Sequence, residues 1–315
     1  MLSVEAVQRL APADLAVLDA IERDATVDAG HPVIGEAIWR DAHEPVDGSR
    51  SVVARRDGQL VGVGHLAATT TVPPHLELGL VVSPGEDRDP VARELVARAV
   101  EAARASPLGS TDGAALTVWI LGVERESDAI VRDAGFVPDR ELWQMRVPLP
   151  LRETARWPEG FTVRTFEPGH DDDAWVAVNN RAFAGHPEQG GWTGETLRQR
   201  ARESWFDPRD FLLAFDQDLQ LAGFCWTKVH PAAPPIEPAP LGEIYVIGVD
   251  PDRQGTGLGR ALVVGGLEAI AEHGITAGML FVDSANAAAV GLYEAIGFAR
   301  HRVDRAYVHS LSATS

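Results

Sequence analysis

The chain has 315 residues, 45% of them apolar, which is enough for sizeable cores and comfortable for two α/β domains. Its formal net charge of −18 repels polyanions at long range, which argues against nucleic acid or an anionic membrane as a partner. The one cysteine, Cys225, excludes an internal disulfide and a cysteine metal cluster, and no window approaches about 18 consecutive apolar residues, so a reducing cytoplasm with neither leader nor membrane span is expected.

In chain order, the sequence reads as one unit written twice. Helices come first, then a hairpin, RSVVARRDGQLVGVGHLAA (Arg50 to Ala68), with Asp57-Gly58 at its turn. A Pro-rich loop leads to the apolar strand LELGLVVSP (Leu76 to Pro84), and a helix follows. A short helix ending in Gly135-Phe136 precedes the last strand, since glycine is a common helix stop. The segment 149–160, LPLRETARWPEG, reads as a linker. The second copy repeats the order: a hairpin over Asp210 to Val229 turning around Asp216 to Asp218, a Pro-rich loop, the strand EIYVIGVDP (Glu243 to Pro251), a helix, and a short helix ending in Gly297-Phe298. This pattern predicts an α/β fold with a mixed sheet in each of two domains, 1–148 and 161–315.

The most informative run is VDPDRQGTGLG, Val249 to Gly259. Strand, glycine-rich turn and helix follow one another, so backbone N–H groups converge where the helix dipole adds positive charge. A phosphate is the natural occupant, and Gly255, Gly257 and Gly259 let it approach the backbone. A P-loop would need a lysine after the glycines, and a dinucleotide fingerprint an acid closing a second strand. Glu268 and Glu272 sit inside the next helix instead. A turn with no ligand is the bland alternative.

The run resembles motif A of the GNAT superfamily of N-acetyltransferases, with Gln254, Gly257 and Gly259 at the motif positions. The helix NAAAVGLYEAIGF (Asn286 to Phe298) resembles motif B of the same family. The runs NNRAFAGHPEQGGWT (Asn179 to Thr193), ESWFDP (Glu203 to Pro208) and FCWTKVHP (Phe224 to Pro231), with LGEIYVIGVDP, are similar to the mycothiol synthase family of tandem GNAT enzymes. The likeness spans nearly all the second half. It is thinner in the first, around Gly35-Glu36 and LWQMRVPL (Leu142 to Leu149).

The resemblance implies two tandem GNAT folds and an acetyl-CoA-dependent N-acetyltransferase. The acceptor it implies is the cysteinyl amine of a cysteine–glucosamine–inositol conjugate. Glu243 is then the base and Tyr293 the acid. Strand alternation puts Glu243 on one face with Tyr245, opposite Ile244 and Val246. Acetyl-CoA falls to Ile247, Gly248 and Val249 along the strand, to Gln254, Gly255, Thr256, Gly257, Leu258, Gly259 and Arg260 in the turn, and to Asn286, Ala287, Ala288, Ala289, Val290 and Gly291. Glu36, Glu188, Lys228, Glu243 and Phe281 fall to the amine substrate, and Glu36 brings the first half to its site. By residue type alone, Glu243 reads as a solvated strand-end carboxylate, Tyr293 as a core tyrosine, Glu188 as a loop acid and Lys228 as a snorkelling cation.

The first half lacks this equipment. Asp87, Pro90 and Ala92 stand where the second has Gln254, Gly257 and Gly259, while Leu76 and Val131 face Glu243 and Tyr293. Weak or no acetyl-CoA binding is expected there, and one catalytic half. Phe281 and Asp283 depart from the tyrosine and glutamate the family pattern carries. His186 and His230 lie beside prolines in separate loops without an i,i+4 partner, so no metal is expected. Another small amine as acceptor, or a non-catalytic acetyl-CoA sensor, stay open as alternatives. The partner expected is a small molecule and the protein a monomer.

Overall fold

A computed structural model of the chain describes residues 1–68, 75–185 and 189–311. It divides into two compact units, one of Met1–Trp143, Asp283–Ala285 and Arg302–Ser315, the other of Gln144–Val282 and Asn286–His301. In the first unit β1 (Leu2–Val7), β2 (Arg50–Arg56), β3 (Gln59–Ala68) and β4 (Leu76–Val82) pair antiparallel in that order, and β5 (Ala115–Ile120) runs parallel to β4. The hairpin turn is the one Asp57-Gly58 foretells, with both residues at positive φ, 49° and 84°. Beside β5 lies β12 (Ala299–Ser310), from the end of the chain, with Arg305 opposite Ile120 and Ser310 opposite Ala115.

Alternation along β2 decides what covers each face. Val52 and Ala54 point to α3 (Arg88–Arg104), packing with its Leu95, Val96 and Ala99. Val53 points the other way, to Leu18 and Ile21 of α1 (Pro12–Ala29). Two shorter helices complete this unit, α2 (Glu36–His43) and α4 (Arg125–Asp133).

The second unit has the strand order β6-β11-β10-β9-β8-β7. These are β6 (Val137–Pro148), β11 (Ala277–Asp283), β10 (Leu241–Val249), β9 (Leu221–His230), β8 (Phe211–Phe215) and β7 (Thr162–Thr165). Each unit thus takes part of a strand from the other half of the chain, the first from Arg302 onward in β12 and the second from Gln144 onward in β6. One face is covered by α7 (Leu258–Glu272), whose Gly266 lies so close to β9 that a Cβ there would sit 2.5 Å from the Cys225 sulfur. Burial pushes that thiol up to about 12, so Cys225 is inert packing. The other face carries α5 (Asp172–Ala182), α6 (Gly194–Arg200) and an aromatic core. Trp226 stacks on Phe211 at 4.6 Å, and Trp175 meets Trp226, Phe211 and Phe224 edge-on.

That core is tied to β7 by a buried carboxylate. Burial of Asp171 opposes its ionisation, yet the Arg164 fork, at 2.6 Å to each oxygen, and the Glu167 amide hold it at about 2. A depressed carboxyl stabilises the fold above its unfolded value of 3.8, and this stability goes as pH falls through 2. Its size is on the order of 2 kcal/mol. Asp171→Asn is expected to lower neutral stability and flatten the acid limb of urea melts; an unchanged midpoint at neutral pH would refute this.

Candidate active site

The site is built where two strands part. β10 and β11 share a parallel register at Gly242↔Gly278 and Glu243↔Met279, and no later pair follows among the described residues. On its other side β10 pairs with β9, with Glu243 opposite Lys228, but the register slips between Ile244 and Val246. Tyr245 is the extra residue of a β-bulge, which bends the strand. β10 therefore leaves β11 just past Glu243, and a wedge opens along Ile244 to Val249. The bulge also corrects the simple alternation: Val246 stands opposite Trp226 and joins the same aromatic cluster as Tyr245.

The face of the sheet under α5 and α6 collects the polar groups. Glu243 is only 8% exposed, so it is not a solvated strand-end acid. His230 Nε2 lies 2.6 Å from its Oε2. Lys228, the one lysine of the chain, places its ammonium over the Trp205 ring at 4.8 Å and the Tyr245 ring at 5.8 Å. Aromatic faces attract a cation and fix where its charge sits. Glu243, Lys228 and their aromatic walls are thus brought together.

The glycine turn has the form its sequence implies. Asp250 caps a short 3₁₀ turn, Pro251–Arg253, and accepts from the Asp252 amide at 2.9 Å. Arg253 and Arg181 brace the turn through Asp216 and Asp250. Gly255 and Gly257 then take φ of +76° and +88°, which only glycine adopts freely. α7 starts at Leu258 without a side-chain cap bond and without an acid in its first turn. Its N–H groups and positive dipole end therefore face the exposed turn Gln254–Gly257. Arg260 and Arg156 line a hollow beside Gly257, and Arg260 is held by Glu153 at 2.6 Å. In the first unit the equivalent turn holds Asp87, ion-paired to Arg56, with Asp89 in the first turn of α3.

Tyr293 lies on α8 (Ala287–Ile296), 7% exposed and 5.8 Å from Phe298. Burial, with the Cys225 thiol nearby, pushes its phenol up to about 12. Since Cys225 points toward α7, Tyr293 belongs to the other side of β10 from Glu243. The Asn286 side chain accepts from the Ala289 amide at 3.1 Å and serves as the N-cap of α8, in front of Ala287, Ala288, Val290 and Gly291. Gly297 ends the helix at φ +112°.

Glu36 begins α2 in the first unit, exposed and paired with Arg40 at 2.7 Å. Phe281 is on β11 and 40% exposed. Glu188 and His186 lie outside the described residues. Three groups at the site carry no site role in the sequence alone. His230 ends strand β9 rather than lying in a loop, and its spacing of two from Lys228 was the available signal. Arg156 sits in the linker, and Trp205 reaches Lys228 from a loop; neither spacing nor periodicity marks them. No group of three acidic, histidine or cysteine residues suited to a metal occurs among the described residues. None of their helices is long and apolar enough to cross a membrane.

The family model for the acetyltransferase (GNAT) family matches residues 171–298, the stretch that carries the wedge, the turn and α8. The mycothiol acetyltransferase of Thermobispora bispora is 40% identical over 296 residues, covering 93% of this chain and 94% of that protein. That of Geodermatophilus obscurus is 43% identical over 306 residues, 96% of each. Among solved structures, a GCN5-related N-acetyltransferase from Sphaerobacter thermophilus superposes with a TM-score of 0.74, at 22% identity, over 98% of this chain and 96% of its own, which shows the fold.

Proposed function

This chain belongs to the mycothiol acetyltransferase family of GNAT enzymes, and we propose that it acetylates the cysteinyl amine of the cysteine–glucosamine–inositol conjugate with acetyl-CoA as donor. The observation that carries the reading is the wedge at Glu243, open between β10 and β11 and ending at an uncapped, glycine-rich helix start. A pyrophosphate suits the Gln254–Arg260 turn, where N–H groups, the helix dipole and Arg260 meet it. The pantetheine arm then runs along Ile247, Gly248 and Val249, whose edge β11 leaves free, toward the apex of the wedge. α8 borders the arm with its N-terminal Ala287–Gly291 stretch.

At the apex the amine gives a proton to Glu243 and its nitrogen attacks the thioester carbon. The C–N bond forms, the C–S bond breaks, the thiolate takes the Tyr293 proton, and exchange with solvent then removes the proton from Glu243 and returns one to the phenolate, so that neutral amine plus thioester gives amide plus thiol. Lys228, Phe281, Glu36 and Glu188 are assigned to the sugar–inositol substrate, which rewards a cleft of paired donors and acceptors. The first unit, with carboxylates in its turn, is assigned a scaffold role. The protein acts as a monomer on a small molecule in the cytoplasm.

The test is acetyl transfer followed by mass spectrometry of the acceptor. The cysteine–glucosamine–inositol conjugate is expected to turn over with kcat/KM far above that of aminoglycosides, with one acetyl-CoA bound per chain by calorimetry. Preference for an aminoglycoside would move the reading to another amine. Acetyl-CoA binding without turnover of either would make the protein a sensor.

A further inference from the structure

We propose that His230 is the positioning residue for the catalytic carboxylate: its Nε2–H holds Glu243 Oε2 and leaves Oε1 to take the amine proton. The inference rests on the reading of Glu243 as the base. A buried ionised carboxylate is costly unless donors meet it, and each oxygen offers two lone-pair directions. Among the described residues one hydrogen bond reaches Glu243, that of His230 at 2.6 Å, short as charge-assisted bonds are. Oε1 has none. Lys228 is the cross-strand neighbour and the obvious partner, but its ammonium is drawn instead over Trp205 and Tyr245 and makes no ion pair with the carboxylate.

The strand geometry makes the pairing specific. His230 and Lys228 share a face of β9 because they are two apart. Glu243 lies directly opposite Lys228, so His230 meets it on the diagonal, a distance that long or ring side chains span. His230 is also the last residue of β9, with Pro231 next, so the ring sits where the pairing ends. It is half-buried, with one nitrogen on the carboxylate. An ionised carboxylate oxygen has no hydrogen to give, so in this pairing the hydrogen is on Nε2. A single donor on one oxygen fixes the plane of the carboxylate, and orientation of this kind is what a general base needs at its proton.

Four variants test this: His230→Leu, His230→Gln, Glu243→Gln and the double variant His230→Leu/Glu243→Gln. His230→Leu keeps bulk and loses the donor; its kcat is expected to fall about 10- to 100-fold, the loss of a hydrogen bond to a charged group, with KM for acetyl-CoA unchanged. His230→Gln restores an N–H and is expected to recover most of the loss, which a purely structural role would not favour over leucine. The double variant is expected to be no slower than Glu243→Gln alone, because the histidine acts through the carboxylate. Thermal melts confirm that each variant is folded, and should leucine fail to fold, His230→Gly with added imidazole replaces it, restored kcat being the expected result. Full kcat in His230→Leu, glutamine as slow as leucine, no imidazole rescue, or a double variant slower than Glu243→Gln would overturn the proposal. Full turnover in Glu243→Gln would instead remove Glu243 as the base, the reading this proposal rests on, while leaving acetyl transfer itself standing.

Discussion

Replacing Glu243 with glutamine is expected to lower kcat by about 10²- to 10⁴-fold, the usual contribution of a positioned acid or base. The KM for acetyl-CoA is expected to stay where it is, because the glycine turn that meets the nucleotide is separate from the carboxylate. The amide keeps the shape of the side chain and can still face Lys228 and His230, so the variant tests proton transfer and not packing. The alternative, that Glu243 is a structural acid inside the sheet, makes the opposite forecast. A buried carboxylate with one partner among the described residues is a poor structural element, and its neutral isostere would then stabilise the protein or leave it unchanged. Single-turnover rates with acetyl-CoA saturating separate the two. If Glu243→Gln acetylates the amine at nearly the wild-type rate, the base lies elsewhere.

Much of this was legible in the sequence, for reasons that differ from place to place. The Asp57-Gly58 hairpin was readable because its turn demands two positive φ values that few dipeptides supply. Gly255 and Gly257 were readable for the same cause, and their helix start follows from chain order. Glu243 could be placed on a strand, but its burial could not, since that depends on α5, α6 and the aromatic residues stacked around Trp226. The bulge at Tyr245 was hidden because one extra residue leaves no mark in an apolar run. It decides that Tyr245 and Val246 share a cluster and that β10 bends away after Glu243. His230 was set aside beside its proline, although the proline only ends the strand that carries it. The exchange of last strands was not readable at all. β6 and β12 follow similar Gly-Phe helix stops, and nothing local tells which edge each will join.

Tyr293→Phe is expected to lower kcat by about 10²-fold with little change in KM for either substrate, as the loss of a donor to a departing thiolate requires. The phenol is suited to that task by where it is buried. An unperturbed tyrosine ionises at 10.0, while here burial first, and the Cys225 thiol second, move it to about 12. The proton therefore stays in place over the whole neutral and mildly alkaline range, and kcat should show no loss from this group until well above pH 10. The same shift has a sign for stability. The unfolded chain releases this proton near 10.0 and the folded one near 12, so the contribution is full below pH 10 and falls as pH rises between the two. The loss reaches on the order of 3 kcal/mol once both states are ionised. Tyr293→Phe should therefore be less sensitive to alkali than the wild type while being the slower enzyme. A phenolate difference titration, wild type minus Tyr293→Phe in the folded state, checks the premise. Absorbance rising near 10 rather than 12 would mean that water reaches the hydroxyl, and an alkaline fall of kcat centred there would follow.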